Sequence, residues 1–375
     1  MKSLKDIKIV LLTNFIPPYR LLFFDTLNNY FKNFRIFLST SMEPNRYWKT
    51  EWRDLKVTMQ KNLTYKKFWK HPIGFSEDIF IHFPYDTLFL LNKFHPDIII
   101  SGELGFRSLQ SAIYKRFNPN TRLIIWFEGS IHTEKKRGKA RSLLRSILLK
   151  NSDGIIVHGK SGADYIKRFN VDNSKIIKVL MPTDSAPFCS YELKRNKDNA
   201  YRFLYAGQLI ERKGLIPFIQ ILLKWIKNNP DRYLEFWFAG DGPLMSKLKE
   251  TPLPANVYFR FLGNVSYEKL PEIYAKCGIF VFPTLADVWG QVINEAMASG
   301  MPVLGSLYSQ AVEELIIDGK NGWVFYPDNE SSVYSSINRA LNTPFNLIEK
   351  MRENNRSKLV RISSEALNSS FQYLF

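Results

Sequence analysis

Twice along this chain, six short runs of β-branched and aromatic residues alternate with segments of helical periodicity, and that repetition constrains the fold more than any other feature. The first series is IKIVLLTN (7–14), FRIFLST (34–40), DIIISG (97–102), RLIIWFEG (122–129), GIIVHG (154–159) and KIIKVLM (175–181). Apolar strands separated by helices specify a parallel sheet covered on both faces by crossover helices. After a polar stretch, YELKRNKDNA (191–200), a second series follows: YRFLYAG (201–207), YLEFWFAG (233–240), VYFRFLG (257–263), IFVFPT (279–284), MPVLGSL (301–307) and GWVFYP (322–327). A chain of 375 residues suits two cores of roughly 150–200 residues each better than one. The expected fold class is α/β, with two doubly wound domains. Between residues 41 and 80 the pattern fails, with a strand suggested only at DLKVTMQ (54–60). That segment reads as an irregular or mobile insertion.

Charge separates the two halves. The first 180 residues hold 31 Lys+Arg against 15 Asp+Glu, a net of +16, while the remainder holds 21 against 20, a net of +1. A basic half facing a polyanion points to nucleic acid or an anionic membrane surface, and a merely solvated basic surface is the plain alternative. The two cysteines, Cys189 and Cys277, match neither a disulfide framework nor a zinc spacing, which favours a reducing compartment. The apolar run near the N-terminus is too short for a usual signal peptide, and no apolar stretch approaches the roughly 18–20 residues that span a bilayer. The expected location is therefore cytoplasmic, peripheral at the inner face of the membrane.

Four segments of the second half end strands with residues suited to a nucleotide diphosphate. AGQLIERKG (206–214) places Gly207 at a strand end, followed by Arg212 and Lys213, whose paired charge suits a pyrophosphate; a solvated loop is the rival reading. AGDGP (239–243) is a turn carrying Gly240, Asp241 and Gly242, which either presents backbone donors or is simply structural. In FPTLADVWGQVINEAMASGMPVLGS (282–306), residues 290–299 read as a helix whose start, Gly290 and Gln291, faces a phosphate with its amides and dipole. Asp287 and Glu295 bracket that start, and Glu295 lies where a carboxylate can accept hydrogen bonds from ribose hydroxyls. GSLYSQAVEEL (305–315) adds a second helix start with Glu313 or Glu314.

These segments, in order and position, resemble the retaining GT-B glycosyltransferases of family 4 (glycosyl transferases group 1), whose C-terminal domain carries G-x-L-x-x-x-K-G, G-x-G-P and E-x7-E followed by A-M-A-x-G-x-P-V. The resemblance is close over 201–327 and weak over the first half, where NFIPPYR (14–20) and WFEG (126–129) look like family pieces. It implies two Rossmann-like doubly wound domains facing a central cleft: an acceptor-binding domain over 1–185, a nucleotide-sugar domain over 186–345, and a helical segment over 346–375 that packs back on the first domain. It implies further that Arg212 and Lys213 hold and stabilise the departing diphosphate without a metal or other cofactor. Glu295 would bind ribose, and Gly290 and Gln291 would face the phosphate. Asp287 stands where the family has a Glu that touches the transferred sugar. Its shorter side chain reaches about one methylene less.

In the first half the family's Gly-Gly after the first strand is replaced by Ile16-Pro17-Pro18-Tyr19-Arg20, so Tyr19 and Arg20 are expected on the acceptor or phosphate side. The family's usual His has no clear match. Glu128 occupies roughly that place, either as a group that orients or deprotonates the acceptor hydroxyl or as a helix cap ahead of Ser130, with His132 its rival. KKRGKARSLLRSILLK (135–150) reads as a basic amphipathic helix. Its cations Lys135, Lys136, Arg137, Lys139, Arg141 and Arg145 either meet an anionic membrane or are solvated while the apolar face packs on the sheet. YKKFWK (65–70) mixes aromatics with lysines in the same way. No nucleic-acid motif accompanies these charges, so the expected partners are a nucleotide sugar, a saccharide or lipid-linked acceptor and a lipid surface, with no nucleic acid. The implied activity is retaining transfer of a hexose-type sugar from a UDP- or GDP-linked donor to a lipid-linked saccharide, glycolipid or polysaccharide. The alternatives are a nucleotide-sugar epimerase or hydrolase of the same fold and a non-enzymatic basic binding module.

Overall fold

Every run of both series holds a strand in the computed structural model, which describes residues 6–44 and 52–372. Residues 45–51, within the segment read as an insertion, lie outside the described residues, as do the first five residues and the last three, which belong to the expected 346–375 segment. The chain divides into two units, and the main break falls between Pro182 and Thr183.

In the first unit the strands are β1 (Lys8–Thr13), β2 (Asn33–Leu38), β3 (Val57–Met59), β4 (Asn62–Lys70), β5 (Ser76–Pro84), β6 (Ile98–Gly102), β7 (Arg122–Trp126), β8 (Gly154–Val157) and β9 (Ile176–Lys178). Seven of them form one sheet in the order β3-β2-β1-β6-β7-β8-β9, parallel throughout. Alternate side chains of a strand point to opposite faces. Ile9 and Leu11 of β1 accordingly join a cluster with Ile36, Ile98, Ile124 and Trp126, while Val10 and Leu12 join another with Ile99, Leu123, Ile125 and Val157. Burial on both faces explains why these strands read as continuous apolar runs.

The segment 41–80 departs from its expected irregularity. β3 lies within DLKVTMQ and pairs with β2, while β4 and β5 form a separate two-stranded hairpin. Most of β4 is exposed, so it lacks the half-buried alternation that announces a strand.

The second unit carries β10 (Phe203–Ala206), β11 (Leu234–Ala239), β12 (Val257–Gly263), β13 (Ile279–Phe282), β14 (Val303–Ser306) and β15 (Gly322–Phe325). Their order is β12-β11-β10-β13-β14-β15, again all parallel. The direction of winding reverses between β10 and β13, and in open α/β sheets that reversal opens a crevice at the strands' carboxyl ends. The corresponding reversal in the first sheet lies between β1 and β6.

The final helix, Phe345–Gln372, goes with the second unit through Ser364. Ile348 and Met351 enter that unit's core. Buried Asn355 donates from Nδ2 to the carbonyls of Met301 at 3.0 Å and Asn321 at 2.9 Å, and its Oδ1 accepts from Asn321 Nδ2 at 3.0 Å. Asn355→Leu keeps the volume but strands these partners, each unsatisfied group costing about 1–3 kcal/mol. Urea unfolding of the variant should show a loss of at least about 2 kcal/mol with an unchanged m-value.

Candidate functional site

The expected cations and the expected carboxylate of the second unit meet where its winding reverses. The loop after β10 carries Arg212 and Lys213 in a 3-10 turn, Glu211–Lys213. The loop after β13 carries Asp287 and leads through Gly290 into the helix Gln291–Ala298. Lys213 Nζ donates to Asp287 Oδ2, and Arg212 Nη1 lies 3.5 Å from the same oxygen. Backbone bonds lock the loops in this register, because Leu285 N donates to Arg212 O at 2.8 Å and Asp287 N to Tyr308 O at 3.0 Å. Burial alone would raise the Asp287 pKa, but Lys213 and Arg212 outweigh it and hold the carboxyl below its ordinary range.

Glu295 sits further along the helix and is 5% exposed. Tyr274, in the helix Leu270–Ala275, donates its hydroxyl to Glu295 Oε2 at 3.0 Å. Desolvation pushes the carboxyl up to about 7. The helix start has no side-chain cap, and Gly290 takes a left-handed φ of 98°, a conformation costly for residues with a Cβ. Such an uncapped start, with a cation pair beside it, is suited to a phosphate. Gln291 Nε2 donates to Thr183 Oγ1. Glu313 and Glu314, in the helix Gln310–Leu315, are half-buried.

The turn 239–243 has a structural reason for its first glycine. A Cβ on Gly240 would overlap the Gly207 carbonyl oxygen, so the glycine is required by loop-on-loop packing. Leu209 N donates to Asp241 O at 2.9 Å, and Leu244 N donates to Leu209 O at 3.0 Å. The exposed Asp241 carboxylate accepts from Gly242 N at 2.7 Å. Gly207, Asp241 and Gly242 thus order the packing of the loops after β10 and β11.

In the first unit, Arg20 ends the 3-10 turn Pro18–Arg20 after β1 and pairs through Nη2 with Glu128 Oε1. Burial opposes the charge on Arg20, but Glu128 and the half-buried Tyr19 keep its pKa raised. The guanidinium lies 5.7 Å from the Trp126 ring centroid. Trp126 Nε1 donates to His158 Nε2 at 2.7 Å, and His158 Nδ1 lies 2.9 Å from Val179 O. A ring that accepts at Nε2 must carry its proton on Nδ1, so His158 is neutral. Burial agrees, pulling its pKa to about 4. His132 offers its carbonyl oxygen to His71 Nε2 at 2.9 Å. Neither His158 nor Glu103 was expected at the site. Glu103 follows β6 at the reversal of the first sheet, with a φ of 129°, and its Oε1 lies 3.3 Å from Nε of the fully buried Arg107. Its place one residue past DIIISG was the available signal.

The basic segment 135–150 is corrected in two respects. Its helix is Lys139–Lys150, begun at Gly138, and two of its expected surface cations turn inward. Arg145 is 2% exposed and lies 2.7 Å from Glu134 Oε2, and Arg137 stacks 3.4 Å from the Trp69 ring centroid. Burial lowers Arg137 to about 10. A buried carboxylate lets cations enter a protein interior, which composition alone does not reveal. Lys136, Lys139 and Arg141 remain exposed, and Lys135 is half-buried. Leu148 and Leu149 enter the core, while Leu143 and Ile147 are 65% and 48% exposed. Among the described residues no helix is long and apolar enough to cross a membrane.

Two parallel α/β sheets, each with one reversal of winding, form the GT-B architecture of solved glycosyltransferases. Residues 192–358, within the second unit, match the family model of glycosyl transferases group 1. The chain is 27% identical over 193 residues to an uncharacterized glycosyltransferase of Methanocaldococcus jannaschii, covering 51% of this chain and 50% of that protein. It is 25% identical over 200 residues to the Campylobacter jejuni GalNAc-alpha-(1->4)-GalNAc-alpha-(1->3)-diNAcBac-PP-undecaprenol alpha-1,4-N-acetyl-D-galactosaminyltransferase, covering 53% of each. The match thus spans about half the length of these curated relatives. Anabaena HepE, crystallised in complex with UDP, superposes with a TM-score of 0.70 at 15% identity, over 98% of this chain and 100% of that one.

The raised pKa of Glu295 has a measurable consequence. The folded chain holds this proton more tightly than the unfolded one, so the stabilisation is complete below about pH 4 and disappears as pH rises through about 7. Glu295→Gln, which stays neutral, should therefore gain on the unmodified chain between pH 5 and pH 8, by on the order of 3 kcal/mol at most. Thermal unfolding across that range measures the difference.

Proposed function

We propose that this chain is a retaining glycosyltransferase that moves a hexose-type sugar from a UDP- or GDP-linked donor to a hydroxyl of a lipid-linked saccharide, glycolipid or polysaccharide. The observation that carries the reading is the cation pair Arg212 and Lys213, held by Asp287 beside the uncapped start of the helix Gln291–Ala298. In transfer, the bond from the sugar's C1 to the donor phosphate breaks with its electron pair on the diphosphate, the acceptor oxygen forms the new bond to C1, and the hydroxyl's proton passes to the departing diphosphate. Charge develops on the departing diphosphate, where two cations and a helix start can stabilise it, and that role needs no metal. Glu295 takes the ribose hydroxyls in its ionised form, while Tyr274 fixes its second oxygen. Asp287 carries the sugar-side role from its shorter side chain. On the first unit, Glu128, with Arg20 against one oxygen, orients the acceptor hydroxyl.

The UDP in the HepE complex and the undecaprenol-linked substrate named for the Campylobacter relative support the donor and acceptor classes. The family resemblance supports retention. The basic first half and the lack of a spanning helix among the described residues support a cytoplasmic protein, peripheral at the inner face of a membrane.

A thermal-shift screen of UDP, GDP and their sugars tests the donor site. A ligand at 100 times its Kd adds about 2.7 kcal/mol to folded stability, a shift of several degrees. Lys213→Ala and Arg212→Ala should each weaken the response at least tenfold in ligand concentration. Equal responses from variant and unmodified chains would remove the assignment. NMR of the product anomer tests retention.

A further inference from the structure

The hairpin of β4 and β5 exposes large apolar side chains among its lysines. Side chains that touch across two antiparallel strands share a face. Asn62 Nδ2 lies 3.1 Å from His82 Nδ1, Thr64 Oγ1 lies 3.2 Å from the same nitrogen, and Lys66 pairs with Asp78 at 2.8 Å. These contacts put Asn62, Thr64, Lys66, Phe68, Asp78, Phe80 and His82 on one face, and Leu63, Tyr65, Lys67, Trp69, Glu77, Ile79, Ile81 and Phe83 on the other. On the first face His82 is 4% exposed and reaches Glu43 at 3.4 Å, while Phe68 is 69% exposed. The second face is open and the more apolar, with Leu63 at 66%, Tyr65 at 60% and Phe83 at 37% exposed and Ile79 and Ile81 half-buried. A contiguous exposed apolar face of this kind marks a binding surface.

The partner is indicated by charge. Trp69 falls on the open face, and Arg137 stacks on its ring, joining the hairpin to the start of the helix Lys139–Lys150. Beyond that junction lie the exposed Lys136, Lys139 and Leu143. The joined surface sets lysines, with one carboxylate, Glu77, among apolar and aromatic side chains, on the half of the chain whose net charge is +16. Aromatic rings and lysines together suit the boundary between lipid acyl chains and anionic headgroups.

We propose that the open face of this hairpin, with Lys67 at its centre and Lys136, Lys139 and Leu143 beside it, docks the protein on an anionic lipid surface. The hairpin, more than the basic helix, supplies the apolar insertion. Its neighbouring lysines supply the attraction. This goes beyond the donor chemistry, since lipid docking requires no donor to be bound.

The test is co-sedimentation of the full chain with phosphatidylcholine vesicles containing 0 or about 30% phosphatidylglycerol, at low and high salt. The unmodified chain should bind the anionic vesicles and leave them as salt rises. Leu63→Glu with Tyr65→Glu should lower partitioning at least tenfold. Lys67→Ala, Lys136→Ala and Lys139→Ala should each lower it by up to about fivefold. Tyr233→Glu, equally exposed on the second unit, should bind as the unmodified chain does. Retained thermal stability and nucleotide-sugar response separate lost docking from lost folding. Hairpin variants that bind vesicles normally would overturn the proposal. So would a change in sedimentation state without a change in vesicle binding, which would make the face a contact between copies of the chain. Neither result would touch the donor-site reading, which fails only with the nucleotide-sugar response.

Discussion

Two cations on consecutive residues share one carboxylate in the second unit, and the loops around them are arranged to keep that sharing in place. Arg212 and Lys213 are mostly shielded from water, with side chains 18% and 14% exposed. Like charges so close repel by about 4 kcal/mol at an effective dielectric of 20. Asp287 offsets that repulsion, and the Leu285–Arg212 and Asp287–Tyr308 backbone bonds hold it within reach. The shorter acidic side chain therefore has a definite local role, engaging both cations.

The first unit manages its cations by the same electrostatic rule. Arg20 meets Glu128, Arg107 meets Glu103, and Arg145 meets Glu134. The arginine side chains of these pairs are 15%, 0% and 3% exposed, and each is matched by a carboxylate, so the pairs contribute little to the field outside. The excess that makes this half basic is left largely to exposed lysines, including Lys61, Lys66, Lys67 and Lys70 on the hairpin and Lys136 and Lys139 at the helix. Structural charge is carried mainly by arginines, whose planar guanidinium suits fixed pairing, and surface charge by hydrated lysines.

How legible each part was in the sequence depended on whether its cause was local. The strands of both sheets were readable because burial on two faces demands apolar runs, and Arg212, Lys213, Asp287 and Glu295 because their spacing is tied to strand ends. The hairpin was missed because most of β4 faces solvent, so no half-buried pattern marks it. The inward turn of Arg145 depends on Glu134, eleven positions earlier and across a helix start, a pairing that a count of charges treats as surface. Glu103 escaped notice because its distinguishing property is a backbone angle. The dual placement of the aromatics, some in the sheet cores and others on the open hairpin face, shows the same limit, since composition weighs both alike.

The carbonyl of Gly207 occupies the space of the side chain that Gly240 lacks. Its neighbours Leu209, Asp241 and Leu244 are bonded in the same short span, so the loops after β10 and β11 are laminated, one sheet of backbone laid upon another. A laminate of this kind has no slack along the chain. Lengthening one ply would demand a matching change in the next, and drift in these loops is confined to side chains that project from the stack. Variation in ligand preference among chains built on this plan is thereby channelled toward substitution and away from insertion.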